Sequence, residues 1–258
     1  MKIRLDKLVV ERGLAPTRER AQALILAGRV LVHEQKSDKP GHSVDAEAPI
    51  RLLGSDLRYV SRGGLKLEAA LDHWSIDLTG RFCLDVGAST GGFTDCMLQH
   101  GAARVLAIDT GYGQIAQTLR DDARVTLMER TNARLLNSGD LPPGISFFAV
   151  DVSFISATLV LPPVLAAIAN TPGAPPLSAS VVDRVGAVIL IKPQFEAGRE
   201  HVGKGGIVRD PAAHQMAIDR VLACVRPLGA RDLDVIPSPI AGAEGNREFL
   251  LRALWPSN

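Results

Sequence analysis

Four charged residues stand where predicted structural elements begin or end, and together they could move a proton. Asp151 follows the strand F-F-A-V and Lys192 follows the strand A-V-I-L-I, so both should emerge at one edge of a sheet. Glu248 precedes the last predicted strand, and Lys66 lies near the start of an apolar helix. A lysine that has a second lysine nearby is more often neutral and can then act as a base. The set therefore predicts acid–base chemistry on a weakly acidic group.

Each member of this set also has a purely structural interpretation. The stem of Lys66 could pack between Leu65 and Leu67 while its ammonium reaches water. One or two members, Glu248 above all, could form structural ion pairs. Lys192 is harder to explain by packing, because lysines are rarely buried and this one directly follows an apolar strand.

These residues are positioned by an alternation of strands and helices that begins at about residue 80. The predicted strands span residues 82–86, 105–108, 125–128, 147–150, 187–191 and 249–254. The predicted helices begin at residue 94 and span residues 155–169 and 212–225. This alternation predicts an α/β fold, Rossmann-like, with a mostly parallel sheet that is covered on both faces.

The glycine-rich loop G-A-S-T-G-G-F, which starts at Gly87, follows the first of these strands. Ligands of such folds bind beyond the carboxyl ends of the strands, and glycines let the backbone approach a ligand. Asp109 comes 22 residues after Gly87, close to the roughly 20 expected for a carboxylate that binds a ribose diol. The spacing is neither the dinucleotide fingerprint nor a phosphate-binding loop, which needs a lysine. Asp85 would repel a pyrophosphate but suits a cationic amino-acid tail, although a turn that binds no ligand is the alternative.

The segment D-x-G-A-x-x-G-G-F resembles the S-adenosylmethionine loop of class I methyltransferases, and we expect this cofactor. In related methyltransferases, the segment that matches M-E-R-T-N-A-R at residues 128–134 contacts the adenine, which adds Asn132; a helix cap by Thr131 is the competing interpretation. The resemblance implies the following cofactor-binding residues: Asp85, Gly87, Ala88, Ser89, Thr90, Gly91, Gly92, Phe93, Asp109, Asn132 and Asp151.

The segment A-V-D-V-S-F-I-S after the fourth strand is evidence on which atom of the substrate is methylated. Exocyclic-amine methyltransferases carry N-P-P-Y or D-P-P-Y here, and this segment has no Pro-Pro pair and, on our interpretation, no stacking aromatic in register. Carbon-5 pyrimidine enzymes use a cysteine after a proline, and none of Cys83, Cys96 and Cys224 follows a proline.

The order Lys66, Asp151, Lys192, Glu248 resembles that of the FtsJ-type ribose 2′-O-methyltransferases. Almost the whole chain is similar to the TlyA family of ribosomal RNA 2′-O-methyltransferases, often labelled hemolysins. The matching segments are S-R-G-G-L-K-L, L-D-V-G-A-S-T-G-G-F-T-D, A-V-D-V-S-F-I-S, I-K-P-Q-F-E and K-G-G-I-V-R-D. The resemblance implies that Lys192 is the base, that Asp151 aligns it, and that the other two orient a ribose hydroxyl. It also implies a cytidine in ribosomal RNA as the substrate, and a methyltransferase domain over residues 61–258.

A small basic domain over residues 1–60 is expected ahead of that body. Residues 1–62 carry 12 Lys/Arg against 8 Asp/Glu, whereas the other 196 residues carry 17 against 20. Its pattern R-x-R-A-x-x-L-I-x-x-G-x-V-x-V, on helix, turn, helix and strand hairpin, resembles the αL RNA-binding module of a small-subunit ribosomal protein (S-four). A packing or dimerisation domain with solvated arginines is the alternative. The RNA contacts that the resemblance implies are Arg18, Arg20, Arg29, Lys36 and Lys39.

The composition of the chain limits where in the cell the protein is expected and which partners it has. No apolar run approaches the roughly 20 residues that span a bilayer, and the charged N-terminus is unlike a signal peptide. Three unpaired cysteines favour a reducing compartment. We therefore expect a cytoplasmic protein, monomeric, with ribosomal RNA or ribosomal subunits as partner and no metal or membrane. A non-catalytic RNA-binding or ribosome-assembly factor and a membrane-active hemolysin remain alternatives, and Lys204 and Arg209 have no assigned role.

Overall fold

The computed structural model describes residues 2–15, 17–53, 58–137, 139–169, 184–242 and 244–256, with the side chains of residues 184 and 256 left aside. The chain divides into two compact units, Met1–Arg58 and Tyr59–Asn258. Each unit has a hydrophobic core of its own.

The N-terminal unit combines two helices with two small antiparallel sheets. Its elements are β1 (Lys2–Arg4), α1 (Leu5–Glu11), α2 (Arg18–Leu26), β2 (Val30–Val32), β3 (Gln35–Ser37), β4 (Ser43–Asp45) and β5 (Ile50–Leu52). Strands β1 and β4 form one sheet, and the other has the order β3-β2-β5. The Thr17 hydroxyl accepts a hydrogen bond from the Arg20 amide and caps α2, as predicted. Apolar side chains at helical spacing close the core: Leu5, Leu8, Val9, Ala21, Leu24 and Ile25 are buried.

The hairpin between β2 and β3 corrects the predicted position of Lys36. The turn consists of His33 and Glu34 alone, which both have positive φ values (49° and 61°). Two-residue turns of this kind match the twist of the flanking strands. Because the turn ends so early, Lys36 lies in β3 and not in a polar turn. Helix α2 likewise ends at Leu26, two residues before Gly28, the predicted stop.

The C-terminal unit is a seven-stranded sheet with helices on both faces. Its elements are α3 (Gly63–His73), β6 (Phe82–Val86), α4 (Gly92–Gln99), β7 (Arg104–Ile108), α5 (Gln117–Arg120), β8 (Val125–Met128), β9 (Ile145–Val150), α6 (Leu161–Ala169), β10 (Arg184–Ile191), α7 (Pro193–Glu196), α8 (Pro211–Val225), β11 (Arg231–Pro237) and β12 (Phe249–Pro256). The strand order is β11-β12-β10-β9-β6-β7-β8, and β12 alone is antiparallel to its neighbours. The predicted α/β fold with a mostly parallel sheet is confirmed.

The two faces of this sheet bury separate cores. On one face, α3 and α4 cover side chains such as Cys83, Phe147 and Leu250. On the other, α6 and α8 cover side chains such as Leu84 and Phe148. Burial on both faces explains why β6 and β9 have continuous apolar sequences.

One predicted helix begins later than expected, and one strand was not predicted. The helix expected over residues 155–169 begins at Leu161, after a 3₁₀ turn over Ala157–Leu159. Pro162 and Pro163 explain the late start, since proline fits the first turn of a helix but not its interior. Strand β11 pairs only with β12, at the sheet edge, and its side chains are mostly exposed or half-buried. No helix among the described residues is long and apolar enough to cross a membrane.

Candidate active site

Sheet register brings three of the four charged residues to one edge of the sheet, the edge formed by the carboxyl ends of the parallel strands. Strands β6, β9 and β10 are parallel and end at Val86, Val150 and Ile191, so the residues that follow them emerge side by side. Strand β12 runs the other way and begins at Phe249, which pairs with Ile191. Glu248 therefore enters the edge at which Lys192 leaves it.

Lys192 and Asp151 form an ion pair at this edge. The Lys192 Nζ lies 2.6 Å from Asp151 Oδ1, and the side chains are 10% and 21% exposed. The same ammonium donates a hydrogen bond of 2.7 Å to the Ser153 hydroxyl. Ser153 was not predicted as a site residue. Among the described residues, Lys192 thus contacts one carboxylate and one hydroxyl, and a tenth of its side chain remains exposed.

Lys66 and Glu248 form a second, more deeply buried pair. The Lys66 Nζ donates to Glu248 Oε2 over 2.5 Å, and the side chains are 10% and 3% exposed. The alternative in which Lys66 reaches solvent is therefore wrong. A Cβ on Gly242 would lie 2.5 Å from Glu248 Oε1, so the absence of a side chain at Gly242 leaves room for the carboxylate. The structure pairs each lysine with its own carboxylate, whereas the sequence argument placed the two lysines together.

The glycine-rich loop connects β6 to α4 beside Asp151. A Cβ on Gly87 would lie 2.6 Å from the Asp151 carbonyl oxygen, and a Cβ on Gly92 would clash with the Ser61 hydroxyl. These glycines therefore make room for the chain itself, which brings the loop onto the edge where Asp151 lies. Ser89 and Thr90 form the exposed part of the loop.

The remaining predicted residues of this loop lie deeper. Ala88, Gly91, Gly92 and Phe93 are buried, and the Phe93 side chain packs in the core on the α3 side of the sheet. Only the backbone of Phe93 is thus in a position to face the loop's open side, which limits its predicted role.

Asp85 is fully buried beneath the loop and accepts a hydrogen bond of 2.6 Å from the Thr94 hydroxyl. Burial raises the pKa of Asp85 to about 7, the Thr94 hydrogen bond opposes this shift, and the nearby charge of Asp151 adds to it. The other carboxylate oxygen, Oδ1, is buried and has no hydrogen-bond partner among the described residues. A buried acceptor without a donor fits a cationic ligand group such as an ammonium.

Asp109 and Asn132 both have local hydrogen bonds. Asp109 accepts from the backbone amides of Ser89 (2.7 Å) and Gly111 (2.6 Å), so it ties the glycine-rich loop to the segment after β7. Its carboxylate oxygens keep lone pairs for hydroxyl donors. The exposed Asn132 caps a 3₁₀ turn by accepting from the Arg134 amide. The predicted alternative of a cap by Thr131 is wrong, because its hydroxyl donates to the Glu129 carbonyl.

An exposed aromatic side chain lies on the loop after Asp151, at a position for which the sequence was interpreted as having no stacking aromatic in register. Phe154 comes three residues after Asp151, the position of the aromatic in D-P-P-Y, so an aromatic is in register. It is 91% exposed, has a φ of 66°, and lies 5.8 Å from the Phe195 ring between centroids. Exposed aromatic rings are suited to stacking on bases. The spacing from Asp151 was the signal that could have found it.

Glu196 is a third residue that was missed, and it joins the two loops that carry the Lys192–Asp151 pair. Its carboxylate is 2% exposed and accepts from the Ser156 hydroxyl (2.5 Å) and the Ala157 amide (2.7 Å). Burial raises the pKa of Glu196, and these hydrogen bonds oppose the shift. The segment after β9 is thereby fixed to α7, which directly follows Lys192.

Asn246 makes a similar connection behind Glu248. The buried Asn246 side chain accepts from the Val208 amide (2.9 Å) and donates to the Gly206 carbonyl (2.8 Å). It therefore holds the segment K-G-G-I-V-R-D next to the turn that leads into β12. Lys204 and Arg209 are exposed on that segment.

In the N-terminal unit, the predicted RNA-contacting residues differ in their partners within the protein and in their exposure to solvent. Arg18 pairs with the buried carboxylate of Asp6 over 3.0 Å, and Arg29 donates to the Leu53 carbonyl from Nε and Nη2. Arg20 is half-buried, whereas Lys36 and Lys39 are exposed. Arg18 and Arg29 thus also have structural roles that the sequence did not indicate.

The strand order is that of a Rossmann-like fold that methyltransferases share. A methyltransferase structure from Listeria monocytogenes superposes with a TM-score of 0.51 at 13% identity, over 77% of this chain and all of that one. The chain belongs to the FtsJ-like methyltransferase family, whose model matches residues 59–253. An S4 domain matches residues 3–50. The family resemblance inferred from the sequence is confirmed.

Several relatives match almost the whole chain. The 16S/23S rRNA (cytidine-2′-O)-methyltransferase TlyA of Mycobacterium tuberculosis is 41% identical over 96% of this chain and 88% of its own length. Hemolysin A of Brachyspira hyodysenteriae is 38% identical over 96% and 98%. A Streptococcus thermophilus protein with a provisional hemolysin name has a solved structure with a TM-score of 0.73 and 41% identity, over 100% of this chain and 90% of that one.

Proposed function

We propose that this protein transfers a methyl group from S-adenosylmethionine to the 2′-hydroxyl of a cytidine ribose in ribosomal RNA. The observation that carries the proposal is the Lys192–Asp151 ion pair at the carboxyl edge of the sheet, beside the glycine-rich loop. The relative from Mycobacterium tuberculosis that bears this activity in its name supports the choice of substrate.

The site residues have separate roles in this reaction. S-adenosylmethionine, when bound, supplies a methyl group on a positively charged sulfur. Lys192, in its neutral form, would take the proton of the ribose hydroxyl while the carbon–sulfur bond of the donor is exchanged for a carbon–oxygen bond and S-adenosylhomocysteine is released. Asp151 and Ser153 hold the amine in place. The Lys66–Glu248 pair lines the same edge and orients the hydroxyl. Positioning of this kind contributes a large share of the rate in displacement reactions.

The cofactor site consists of the loop from Gly87 to Phe93 and the two acidic residues that flank it. Asp85 Oδ1 is the acceptor for the ammonium of the methionine tail. Asp109, at the end of β7, accepts from the ribose hydroxyls, and Asn132 contacts the adenine. Phe154 adds an exposed ring on which a base next to the target stacks.

RNA binding is assigned to residues 1–60, and methyl transfer to residues 61–258. In the first part, the charges of Arg18, Arg20, Arg29, Lys36 and Lys39 contact RNA phosphates, and such contacts position a protein without selecting a sequence. The protein acts as a monomer in the cytoplasm, where ribosomal subunits are its partner.

Methyl transfer onto isolated ribosomal subunits tests this proposal. Purified subunits are incubated with protein and S-adenosylmethionine carrying a labelled methyl group, and the label in the RNA is counted. We expect transfer by the unchanged chain and a loss of at least about 100-fold with Lys192→Ala, the lower end of the range for a general base. Lys204→Ala, an exposed lysine outside the pair, is the control. Undiminished transfer by Lys192→Ala would contradict the mechanism.

A further inference from the structure

A cavity at the opposite end of the sheet has no part in the proposed reaction. Its volume is about 530 Å³, within the range of small-molecule sites. It is lined by residues from the early part of β9 and β10, from the late part of β12, and from the segment after α3. Because parallel strands end at the cofactor loop, their beginnings lie at the other edge. The cavity is therefore separate from the loop that starts at Gly87.

An arginine with an unsatisfied donor lies in the wall of this cavity. The Nε of Arg252 is buried and has no hydrogen-bond partner among the described residues. Asp234 lies directly opposite Arg252 in the β11–β12 pairing, yet no ion pair joins the two within the described ranges. Asp234 instead accepts from the Trp74 indole (2.8 Å) and from the Val235 amide. Arg252 is thus left with a donor that calls for an acceptor from outside the chain.

The other residues that line the cavity indicate the chemical nature of a ligand that carries such an acceptor. Arg81 adds a second guanidinium, and Asp77 is engaged by the Thr79 amide. Trp74, Phe147 and Leu254 supply flat and apolar walls. Guanidinium groups bind carboxylates and phosphates through paired hydrogen bonds. An oxyanion on an apolar, flat body matches this combination.

We propose that this cavity binds a small organic anion, a carboxylate or phosphate ester with an aromatic or similarly flat body, with its oxyanion on Arg252. The site lies on the two elements that carry the buried ion pair of the active site. Arg252 follows Glu248 by four residues of β12, roughly 13 Å of strand. Trp74 follows Lys66 by eight residues near the end of α3, roughly 12 Å of helix. A ligand here contacts both elements without reaching the cofactor loop.

Calorimetric titration of the full chain with phenyl phosphate tests the proposal. We expect saturable one-to-one binding, at least tenfold tighter than that of inorganic phosphate or benzyl alcohol, because the cavity offers charge and apolar surface together. Binding should persist in saturating S-adenosylhomocysteine. The absence of saturable binding, or its loss in S-adenosylhomocysteine, would overturn the proposal, since the latter places the probe in the cofactor cleft.

Two variants locate the binding. Arg252→Met removes the charge and keeps the length of the side chain, and we expect it to weaken phenyl phosphate at least tenfold. Arg226→Met, an exposed arginine at the end of α8, is the matched control and should leave binding unchanged. Gly186→Val narrows the cavity and keeps Arg252, because a Cβ there would lie 3.4 Å from Leu254 and 3.5 Å from Phe147. Gly186→Val should also weaken the binding of phenyl phosphate. If Arg252→Met fails to fold, the Gly186→Val result tests the proposal by itself. Unchanged binding in a folded Arg252→Met or Gly186→Val would overturn the proposal.

Discussion

At the scale of single residues, the Lys66–Glu248 pair has a proposed role in catalysis and also affects the stability of the fold. Both side chains are at least nine-tenths buried, so removal of one partner leaves a buried charge without compensation. We expect Lys66→Met to lower the free energy of unfolding by about 3 kcal/mol, as for other buried pairs. Equilibrium denaturation in urea measures this loss.

The double variant Lys66→Met with Glu248→Leu separates the charge effect from a packing effect. Replacing both partners by apolar groups removes the buried charge, so the double variant should regain at least half of the lost stability. A double variant that is less stable than Lys66→Met alone would show that the pair is held by packing instead.

Asp85 gives the C-terminal unit a pH dependence whose sign is opposite to that of an ordinary carboxylate. Its folded pKa of about 7 lies above the ordinary value of 3.8, so the folded chain holds a proton that the unfolded chain releases. Below about pH 4, Asp85 is protonated in both the folded and the unfolded chain and does not lower the free energy of unfolding. As the pH rises towards 7, only the unfolded chain releases the proton, so the free energy of unfolding falls. Asp85→Asn should make the free energy of unfolding fall less over that range.

Denaturation at several pH values, without cofactor, measures the Asp85 effect. Asp219→Asn, on the exposed side of α8, is the control and should keep the slope of the unchanged chain. Equal slopes for Asp85→Asn and the control would mean that Asp85 does not titrate in this range.

Single residues also show what the sequence could predict. Lys66, Asp151, Lys192 and Glu248 were found because three of them adjoin strand ends and one interrupts an apolar helix, which are features of the local sequence. Ser153 and Glu196 were not found, because their roles depend on contacts across two loops. The hydrogen bond from Ser156 to Glu196, for example, spans 40 residues.

At the scale of elements, Glu196 fixes the segment after β9 against the segment after β10. We expect Glu196→Ala to lower the rate constant for methyl transfer by roughly 10- to 100-fold, because small displacements of reacting groups have effects of that size. Glu196→Gln still accepts from the Ala157 amide and should recover part of the rate. Affinity for S-adenosylhomocysteine should stay within twofold.

The control for Glu196 is Glu200→Ala, an exposed carboxylate four residues further on. Single-turnover rates across pH separate positioning from simple destabilisation, since a positioning residue lowers the plateau while the fold remains. A lower cofactor affinity that matches the lower rate in Glu196→Ala would contradict a positioning role.

In the N-terminal unit, Asp6 organises the start of both helices. Its buried carboxylate accepts from Arg4, Arg18 and Gln22, and these neighbours, Arg4 foremost, hold the pKa of Asp6 well below its ordinary value. The stability it contributes is present above pH 3.8, its ordinary pKa, and is lost as the pH falls below that value. Asp6→Asn should therefore destabilise this unit at pH 7.

Hydrogen exchange of the α1 and α2 amides measures the Asp6 effect, which should shrink when the pH is lowered from 4 to about 2. Asp45→Asn, at an exposed position of β4, is the comparison. Equal protection in Asp6→Asn and the unchanged chain at pH 7 would contradict the role given to Asp6.

Elements also show where sequence patterns stop being informative. Buried strands such as β6 and β9 were predicted within a few residues, since their apolar runs are continuous. The helix predicted over 155–169 ends where expected but starts at Leu161, because the apolar content of the segment hid the effect of Pro162 and Pro163. Strand β11 was missed because a half-exposed strand at a sheet edge has no apolar run.

At the scale of the whole molecule, the chain joins an S4 domain to an FtsJ-like methyltransferase domain. The first offers exposed positive charge, such as Lys36 and Lys39, and the second offers a proton acceptor beside a cofactor loop. Family resemblance predicted this combination, whereas the cavity at Arg252 had no signal in the sequence because it depends on three strands and a helix end.

The position of the transferred methyl group tests the central proposal most directly. Ribosomal subunits are incubated with the protein and S-adenosylmethionine, their RNA is digested to nucleosides, and the products are identified by mass spectrometry. We predict 2′-O-methylcytidine, formed by the unchanged chain and absent with Lys192→Ala. A methyl group on a base, or 2′-O-methylcytidine formed equally by Lys192→Ala, would contradict the proposal.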